Sequence, residues 1–446
     1  MSTPASSSSS AAARCDLLII GAGPAGMAAA LAAAPSGMRI VVVDDNPTPG
    51  GQIWRDGPGV DLPPLARQHR DALARHANIN VLSGTRVVGL GDRASPSDGA
   101  ALILENATSG WTQHTRRLIL CTGARELLLP FPGWTLPGVT GAGGLQALIK
   151  GGVDVRGQRI VIAGTGPLLL AAASTARKAG AQVLRVAEHT SWRHLAAFAA
   201  QLARWPAKAL QAPTLLHPSL RANSHVLEAL GTAQVDAVRL QRGSGVEQLS
   251  CDRIACGFGL IPNTHLGQML GCAVHAAQGI QVDALMQTTV PGVYAAGECT
   301  GFGGSERALV QGAIAGHAAA GDSAAAHALR GQLARWNRFA EALHRHFPLR
   351  AEALAALPRA DTLVCRCEDV AHGTLQPRSS WIDAKLHTRC GMGACQGRIC
   401  GAAAQVLYGW APQPARHLLS PARLSTLAGA DGDALLQDSC ESHPQT

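Results

Sequence analysis

The sequence predicts an α/β chain in which two parallel-sheet domains precede a small cysteine-rich domain. Two segments, whose first glycines stand at positions 21 and 164, each contain a short apolar strand, a glycine-rich turn, a helix and a second apolar strand. Near the C-terminus, five of the twelve cysteines fall between residues 365 and 400. A chain of 446 residues is long enough for two or three domains.

The composition is typical of a globular protein rather than a disordered one, with 47% hydrophobic and 15% charged residues. The 50 glycines and the 4% aromatic content suit helices that pack closely on a parallel sheet. The net charge is +8, but only four residues are lysines and the arginines are scattered, so we expect no nucleic-acid partner. The charge indicates only a bias toward acidic partners or anionic cofactors.

The N-terminal segment 1–13 is a Ser/Ala-rich tract that has neither the basic start nor the long apolar stretch of a signal peptide, and we expect a disordered leader. No later stretch offers about 18 uninterrupted apolar residues, so we expect no membrane span. A dense thiol cluster in a large chain indicates an intracellular, metal-binding protein. These observations together predict a cytoplasmic location.

The order of these patterns predicts the division of the chain. The Pro/Gly-rich stretch 129–138 marks the first join, and an Ala-, Arg- and His-rich stretch that begins near residue 324 predicts helices before the cysteines. The predicted parts are a first dinucleotide-binding domain at 14–130, a second at 131–270, a return to the first at 271–330, a helical linker at 331–360, the cysteine domain at 361–410 and a tail at 411–446.

The first glycine-rich turn has the features of a dinucleotide-binding site. Gly21, Gly23 and Gly26 follow an apolar strand and begin an alanine-rich helix. In such a turn, the first glycine permits the tight bend, the second lets a pyrophosphate approach the backbone, and the third lets the helix pack on the strand. Pro24 and Ala25 begin the helix, whose free N–H groups and positive dipole end attract phosphate.

An acidic residue closes the second strand of the same unit. Asp44 stands 18 residues after Gly26, where a carboxylate can accept hydrogen bonds from a ribose. Asp45 is the neighbouring candidate if the strand register shifts by one residue. A tight turn with a surface aspartate is the structural alternative, but the strand, glycines, helix and acid together favour a dinucleotide.

Three later segments suggest which dinucleotide binds. They are Gly51-Gln52 within a Pro-Gly-Gly-Gln run, the strand end Thr122-Gly123-Ala124, and Gly297-Glu298 within Tyr-Ala-Ala-Gly-Glu. At these residues the chain resembles the glutathione-reductase-like flavoproteins, which have two Rossmann-like dinucleotide-binding domains. The resemblance covers roughly residues 14–330 and implies that the first site holds FAD, with these segments around it. Where that family has an aspartate, this chain has Glu298, whose longer side chain should still accept the hydrogen bond.

The second glycine-rich turn departs from the fingerprint. Gly164 and Gly166 are present, and Glu188 stands where a ribose ligand belongs, but Leu169 replaces the third glycine. We expect this leucine to push the helix away from the strand and to tilt its N-terminus away from a pyrophosphate. Three interpretations remain open: NAD(P) binding, binding of another nucleotide such as ATP, or a retained fold without a ligand.

A redox-active disulfide is not expected. Disulfide reductases of this fold carry a cysteine pair just after the Gly-Gly segment or in the second domain, but here Gly51 is followed by Gln-Ile-Trp-Arg. Cys251 and Cys256 flank a strand-like segment and suit core packing better. His69, His76, His114, His344 and His346 stand alone in Arg/Ala-rich surroundings, so we expect them to be solvated and no general base is evident.

The C-terminal cysteines predict a metal centre. Cys365 and Cys367 form one pair, and Cys395 and Cys400 a second, so that four thiolates can enclose a [2Fe–2S] cluster. Structural zinc is the alternative, but zinc pairs are usually separated by two to four residues, which the first pair does not match. Cys390 is a spare thiol that could substitute as a ligand or pack as a small residue. The run from Thr388 to Cys400 resembles the bacterioferritin-associated-ferredoxin-like [2Fe–2S] domain.

The whole chain is similar to the alpha subunits of opine oxidase, of proline or hydroxyproline dehydrogenase and of hydrogen cyanide synthase. This resemblance implies an oxidoreductase subunit that relays electrons from a D-amino-acid-oxidase-type flavoprotein partner. A further candidate partner is a small ferredoxin-like subunit, and any membrane association would run through the electron acceptor. Two alternatives are an autonomous NAD(P)H-dependent reductase and a non-catalytic scaffold that holds nucleotides.

Overall fold

The computed structural model describes residues 13–92, 99–275, 279–410 and 418–429. The predicted leader lies outside these residues, except that Ala13 begins the first strand. The predicted α/β class is confirmed, because parallel strands joined by helices form both large sheets.

The first sheet forms around the apolar strand that precedes the first glycine turn. Its elements are β1 (Ala13–Ile20), α1 (Pro24–Ala33), β2 (Ile40–Val43), α2 (Pro64–Arg75), β3 (Ile79–Leu82), β4 (Arg86–Leu90), β5 (Ala100–Glu105) and β6 (Gly110–Leu120). The strands follow the order β3-β2-β1-β6-β5-β4. Strands β3, β2, β1 and β6 are parallel, whereas β5 and β4 continue the sheet as antiparallel strands.

The second domain follows the strand that leaves the first sheet. Its elements are β7 (Ala124–Glu126), β8 (Val139–Gly141), α3 (Ala142–Lys150), β9 (Arg159–Gly164), α4 (Pro167–Lys178), β10 (Gln182–Glu188), α5 (Trp192–Gln201), α6 (Pro206–Leu215), β11 (Leu220–Arg221), β12 (Ser224–Leu230), β13 (Ala237–Arg242), β14 (Gly245–Ser250), β15 (Arg253–Gly257) and β16 (Leu260–Pro262). A parallel sheet has the order β11-β10-β9-β15-β8, and β12, β13 and β14 form an antiparallel meander. Strands β7 and β16, which lead into and out of this domain, pair with each other.

The remaining elements complete the first sheet and form the cysteine-rich region. They are α7 (His265–Met269), β17 (Val274–His275), β18 (Gly279–Ile280), β19 (Val293–Ala295), α8 (Ser305–Ala320), α9 (Ser323–Ala328), α10 (Arg330–His346), α11 (Ala351–Ala355), β20 (Leu363–Cys365), β21 (Val370–Ala371), α12 (His372–Leu375), α13 (Trp381–Thr388) and α14 (Cys400–Tyr408). Strand β19 joins the first sheet beside β6 in parallel orientation.

The small residues explain how the helices cover the first sheet. Helices α1 and α8 approach so closely that a Cβ at Gly312 would overlap the backbone of Ala25, and one at Gly316 would overlap the backbone of Ala29. Glycine and alanine therefore allow backbone-to-backbone packing that larger residues would prevent. The glycine-rich composition thus places α8 directly against the helix that follows the first glycine turn.

The described part of the tail, residues 418–429, contacts β4 and the end of β5 in the first sheet, and we call it the C-terminal strap. Leu419 N donates to Val88 O at 2.7 Å, which attaches the strap to β4. Further along, Arg423 N and Thr426 Oγ1 donate to the buried Glu105 carboxylate at 2.9 and 2.7 Å. The tail therefore binds the first domain, although its sequence predicts no such role.

Candidate functional site

The first glycine turn leaves no room for a side chain at its first and third glycines, Gly21 and Gly26. Gly21 has φ +105°, and a Cβ at Gly26 would overlap the carbonyl oxygen of Gly21. Helix α1 begins at Pro24, with Gly23 as the preceding residue, and Ala25 is buried in its first turn. The free N–H groups of the helix start are held at the end of β1, as phosphate binding requires.

Asp44 lies at the end of β2, beside the glycine turn. Its Oδ2 accepts a hydrogen bond from Ala22 N at 2.5 Å, and its Oδ1 accepts one from Asn46 N at 2.8 Å. Asp44 is buried, whereas Asp45 is exposed. Of the two neighbouring acids, Asp44 is therefore the one whose carboxylate lies against the glycine turn.

The loop after Asp44 covers the same turn. Gly50 N donates to Ala22 O at 2.8 Å, and a Cβ at Gly51 would lie 3.0 Å from Gly23 Cα. Gly51 also has φ +58°, so glycine is favoured there on both grounds. Gln52 stands next to this contact, and its Oε1 accepts a hydrogen bond from Arg55 at 3.0 Å.

The other predicted segments reach the same edge of the sheet. Cys121 N donates to Ile20 O at 2.8 Å, and Ala296 N donates to Leu120 O at 2.9 Å, so Thr122-Gly123-Ala124 and Gly297-Glu298 follow the carboxyl ends of their strands beside the glycine turn. A Cβ at Gly297 would lie 2.9 Å from the Cβ of Ala25. The carboxyl edge of a parallel sheet is where such folds bind ligands.

Glu298 is the half-buried acid of this edge. Burial raises the pKa of Glu298, and the Arg307 guanidinium acts in the opposite direction. Gln311 supports the neighbouring turn, since its Oε1 accepts hydrogen bonds from Gly297 N at 3.0 Å and from Thr300 Oγ1 at 3.2 Å. An acid with a nearby cation can accept a hydrogen bond from a ligand hydroxyl without leaving an uncompensated charge.

The second turn resembles the first in its hydrogen bonds. Glu188, at the end of β10, is buried, and it accepts from Gly166 N and Thr190 N, each at 2.9 Å. Gly164 and Gly166 both have positive φ, at +146° and +97°. Burial raises the pKa of Glu188, and the two backbone N–H donors oppose that shift. The turn therefore keeps its conformation despite the substitution at position 169.

Leu169 is accommodated in the core rather than at the surface. Its side chain is fully buried in α4 and points to Gly257, where a Cβ would lie 3.1 Å from Leu169 Cδ2 and 3.2 Å from Ala142 Cβ. In the first domain the glycine is on the helix instead, since a Cβ at Gly26 would lie 3.5 Å from Cys121 Cβ. Large and small residues are thus exchanged between helix and strand, so that Gly257 offsets part of the steric effect expected of Leu169.

The cysteine-rich region brings its thiols together. The Sγ atoms of Cys365, Cys390 and Cys400 all lie within 4.8 Å of one another, and the three residues are buried. Cys395 is partly exposed and Cys367 exposed. A hydrogen bond with Cys400 lowers the pKa of Cys395, and Cys367 contributes in the same direction. The predicted spare, Cys390, therefore stands inside the compact group, and the predicted ligand Cys367 stands at its outer side.

Glycines shape the turn that carries the second cysteine pair. Gly391 has φ +78°, and a Cβ there would lie 2.5 Å from Trp381 Cζ2. Gly397 has φ +75°, and its Cβ would lie 3.0 Å from the same atom. A Cβ at Gly393 would overlap Cys367 Cβ, which shows that the 390–400 turn packs directly on the first cysteine pair. A cluster of thiolates with close backbone N–H groups suits an iron–sulfur centre.

Several contacts close to the predicted site have no signal in the sequence. The Glu126 carboxylate, at the end of β7, accepts from Gly143 N at 2.7 Å and from Gly144 N at 2.9 Å, at the start of α3. Arg125, its neighbour, donates to the backbone of Arg398 in the cysteine-rich region. These contacts join distant segments, so only the folded chain reveals them.

The expectation that the isolated histidines are solvated is wrong for two of them. His114 is buried in β6. His346 is buried at the end of α10, where its Nε2 lies 2.7 Å from Gln201 Nε2. Long strands and amphipathic helices can bury a histidine that looks polar in sequence context.

In the part of the chain that the structure describes, no helix combines the length and apolar character needed to cross a bilayer.

Comparison with known proteins adds to this geometry. Residues 15–324 match the pyridine nucleotide-disulphide oxidoreductase family. The chain is 32% identical to the A subunit of opine oxidase from Rhizobium meliloti (strain 1021), over 86% of this chain and 90% of that protein. It is also 32% identical to hydrogen cyanide synthase subunit HcnB of Pseudomonas protegens, over 86% of this chain and 89% of that protein.

A solved structure, L-proline dehydrogenase from P. horikoshii, shares the fold, with a TM-score of 0.65 over 94% of this chain and 81% of that chain at 17% identity. At that identity, the likeness concerns the fold alone.

Proposed function

Because this chain belongs to the pyridine nucleotide-disulphide oxidoreductase family, and within it to the group that includes the A subunit of opine oxidase and the HcnB subunit of hydrogen cyanide synthase, we propose that it is the FAD- and [2Fe–2S]-carrying subunit of a heteromeric amino-acid or amine dehydrogenase. It is an oxidoreductase subunit of flavoprotein type. We further propose that it relays electrons from an amine-oxidising flavoprotein partner to an acceptor.

The first site supports FAD as its ligand. A narrow backbone cradle lies at the carboxyl edge of the first sheet. Any Cβ at Gly26 would overlap the backbone, Asp44 lies beside the turn, and Gly51 closely approaches Gly23. Residues Gly21 to Gly26 would hold the pyrophosphate, Asp44 the ribose, and Glu298 a hydroxyl of the ribityl chain. All three lie on the edge where ligands of such folds bind.

The cysteine-rich region supports the cluster. The observation that carries the proposal is that three buried thiols lie within 4.8 Å of one another, with Cys395 and Cys367 beside them. This region contacts Arg125, which directly follows the Thr122-Gly123-Ala124 segment. We propose Cys365, Cys367, Cys395 and Cys400 as the ligands, because they provide two thiolates from each of two pairs. When bound, FAD accepts two electrons at once, whereas the cluster passes them singly.

The proposed partner follows from the relatives. Both relatives are named as subunits, one of opine oxidase and one of hydrogen cyanide synthase. We therefore propose that a D-amino-acid-oxidase-type flavoprotein subunit oxidises an opine, proline or hydroxyproline, and that this chain receives the electrons. A small ferredoxin-like subunit is a further proposed partner, and a cytoplasmic location is proposed with it.

A second candidate function is an autonomous NAD(P)H-dependent reductase. It is favoured by the second turn, where Gly164, Gly166 and Glu188 keep a nucleotide-binding arrangement and Gly257 makes room for Leu169. Against a productive hydride donor stands the replacement of the third glycine, which close packing of the helix on the strand, and with it the placing of the helix N-terminus at a pyrophosphate, ordinarily requires.

The test separates the isolated chain from its complex. The tagged chain is purified alone, and in parallel with the proteins that remain bound to it in its source cells, and FAD, iron and acid-labile sulfide are measured. Each preparation then receives proline, hydroxyproline or an opine with a dye acceptor. We expect FAD and two irons per chain in both, and turnover only in the complex. Turnover by the isolated chain, or a chain without iron, would contradict the proposal.

A further inference from the structure

A direct hydrogen bond joins the strand that leaves the first domain to the turn that carries the second cysteine pair. Arg125 Nε, in β7, donates to Arg398 O at 3.1 Å. Arg398 lies between Cys395 and Cys400 in the chain. A carbonyl held in this way fixes the backbone of the 395–400 turn, and with it the directions of the two cysteines that begin and end that turn.

The same guanidinium is tied to the carboxyl edge of the first sheet, which is the proposed flavin-binding edge. Arg125 Nη1 donates to Asn263 Oδ1 at 3.1 Å. Asn263 Nδ2 donates to Thr122 O at 2.9 Å, and Thr122 Oγ1 donates to Asn263 O at 2.7 Å. A continuous path of hydrogen bonds therefore runs from the Thr122–Ala124 segment, through Asn263 and Arg125, to the cysteine turn. Within this path, it is the Arg125 side chain that spans both regions.

The opposite side of the turn is also held. The Arg398 side chain donates to Leu419 O, in the C-terminal strap. The adjacent Leu419 N is bonded to Val88 O of β4 at 2.7 Å. The 395–400 turn is thus held at two points, by β7 through the backbone of Arg398 and by the C-terminal strap through the Arg398 side chain.

The charge of Arg125 acts at the same place. The hydrogen bond to Arg398 O places the Arg125 guanidinium beside the turn that begins at Cys395. Burial lowers the pKa of Arg125, as does Arg398, while Cys395 acts in the opposite direction, and the guanidinium remains a cation. A positive charge in a partly dehydrated region stabilises negative charge nearby far more than it would in water. Reduction adds one negative charge to a thiolate-ligated cluster, and surrounding charge is one of the factors that set its potential.

We propose that Arg125 is a positioning residue that fixes the 395–400 turn against the flavin-binding edge and raises the reduction potential of the cluster held there. This inference rests on the proposed function. Its two parts have different chemical requirements. Positioning needs the fork of the guanidinium, because one nitrogen reaches Arg398 O and another Asn263, whereas the effect on potential needs only a cation.

The experiment uses the full chain in four forms: wild type, Arg125→Gln, Arg125→Lys and the control Arg156→Gln. Arg156 is an exposed cation paired with Asp154 on the surface of the second domain. The first readout is the midpoint potential of the cluster, from an anaerobic redox titration followed by electron paramagnetic resonance, with the flavin followed by absorbance. The second is amide hydrogen exchange of residues 395–400.

We expect Arg125→Gln to shift the cluster potential to a more negative value and to speed exchange in the turn, with the flavin potential unchanged. Arg125→Lys should keep most of the potential but not the slow exchange, so it provides a test even if the glutamine variant fails to fold. The control should match wild type in both. An unchanged cluster potential and unchanged exchange in Arg125→Gln would overturn the inference alone. A wild-type chain without a reducible cluster would instead overturn the proposed function, and the inference with it.

Discussion

Truncation of Leu169 should show whether this residue and Gly257 share one packing space. Leu169 is fully buried among apolar residues of the second domain. Leu169→Ala removes three buried carbon atoms, and such changes cost about 3 kcal/mol when the surroundings relax only in part. Since about 1.4 kcal/mol corresponds to a factor of ten, amides of α4 should exchange faster by a factor on the order of 100.

The reciprocal change should also destabilise. A Cβ at Gly257 would lie 3.1 Å from Leu169 Cδ2 and 3.2 Å from Ala142 Cβ, which is tighter than ordinary contact. Gly257→Ala should therefore cost about 1–2 kcal/mol through overpacking. In the double variant, the new methyl group enters space that the shortened residue 169 has left. The double variant should thus be more stable than the sum of the single effects predicts, by about 1 kcal/mol.

Native-state amide hydrogen exchange is the suitable assay, because it reports local free energies of opening in a chain with several domains. Leu210→Ala is the matched control, since Leu210 is 79% exposed and its truncation should change the free energy by less than about 0.5 kcal/mol. Additive effects of the two single substitutions would show that Leu169 and Gly257 do not share one packing space. In that case, Gly257 would not be the residue that makes room for Leu169 in the second domain.

Three further predictions concern the other sites. Gly26→Ala should abolish flavin binding, because the added Cβ would overlap a carbonyl oxygen of the turn. In the control Gly331→Ala, the added Cβ meets no atom within 4 Å, so this variant should bind flavin like wild type. The measurement is the flavin absorbance of the purified proteins at equal protein concentration. Cys367→Ser should lose cluster iron and Cys390→Ser should keep it; the reverse result would make Cys390 the fourth ligand. A backbone N–H of the C-terminal strap, together with the Thr426 hydroxyl, lowers the pKa of Glu105. The strap should therefore be held firmly at pH values above the ordinary glutamate pKa of about 4.3, and it should be released as the pH falls through the lower pKa of the folded state. Limited proteolysis would detect this release as a loss of protection.

The parts of the fold that the sequence predicts are those whose residues act within one short segment. A strand, a glycine turn and a helix are encoded by neighbours, so the positions of Gly21, Gly26 and Asp44 follow from spacing alone. The cysteine pairs are equally local. The α/β class and the two large sheets follow from such units, because each buried apolar strand must pair with others of its kind.

The parts that sequence reasoning misses depend on contacts between distant segments. Nothing in the sequence around Gly257 indicates that this residue faces Leu169. The predicted steric effect of Leu169 therefore leaves out the glycine that offsets part of it. Arg125 donates a hydrogen bond to Arg398, which is 273 residues away in the chain. The C-terminal strap reaches Glu105 from 321 residues away. The inclusion of Cys390 with Cys365 and Cys400 likewise depends on how the glycine turn packs on Trp381.

In the proposed function, this chain receives electrons from a partner protein and does not take them from a nicotinamide nucleotide. An anaerobic visible spectrum of the purified chain, recorded during stepwise addition of NADH, shows whether NADH can reduce it. We expect the flavin and iron–sulfur bands to persist through an excess of NADH and to bleach only with a chemical reductant. Stoichiometric bleaching by NADH would contradict it, and would make the chain a reductase in its own right with a working site at Leu169.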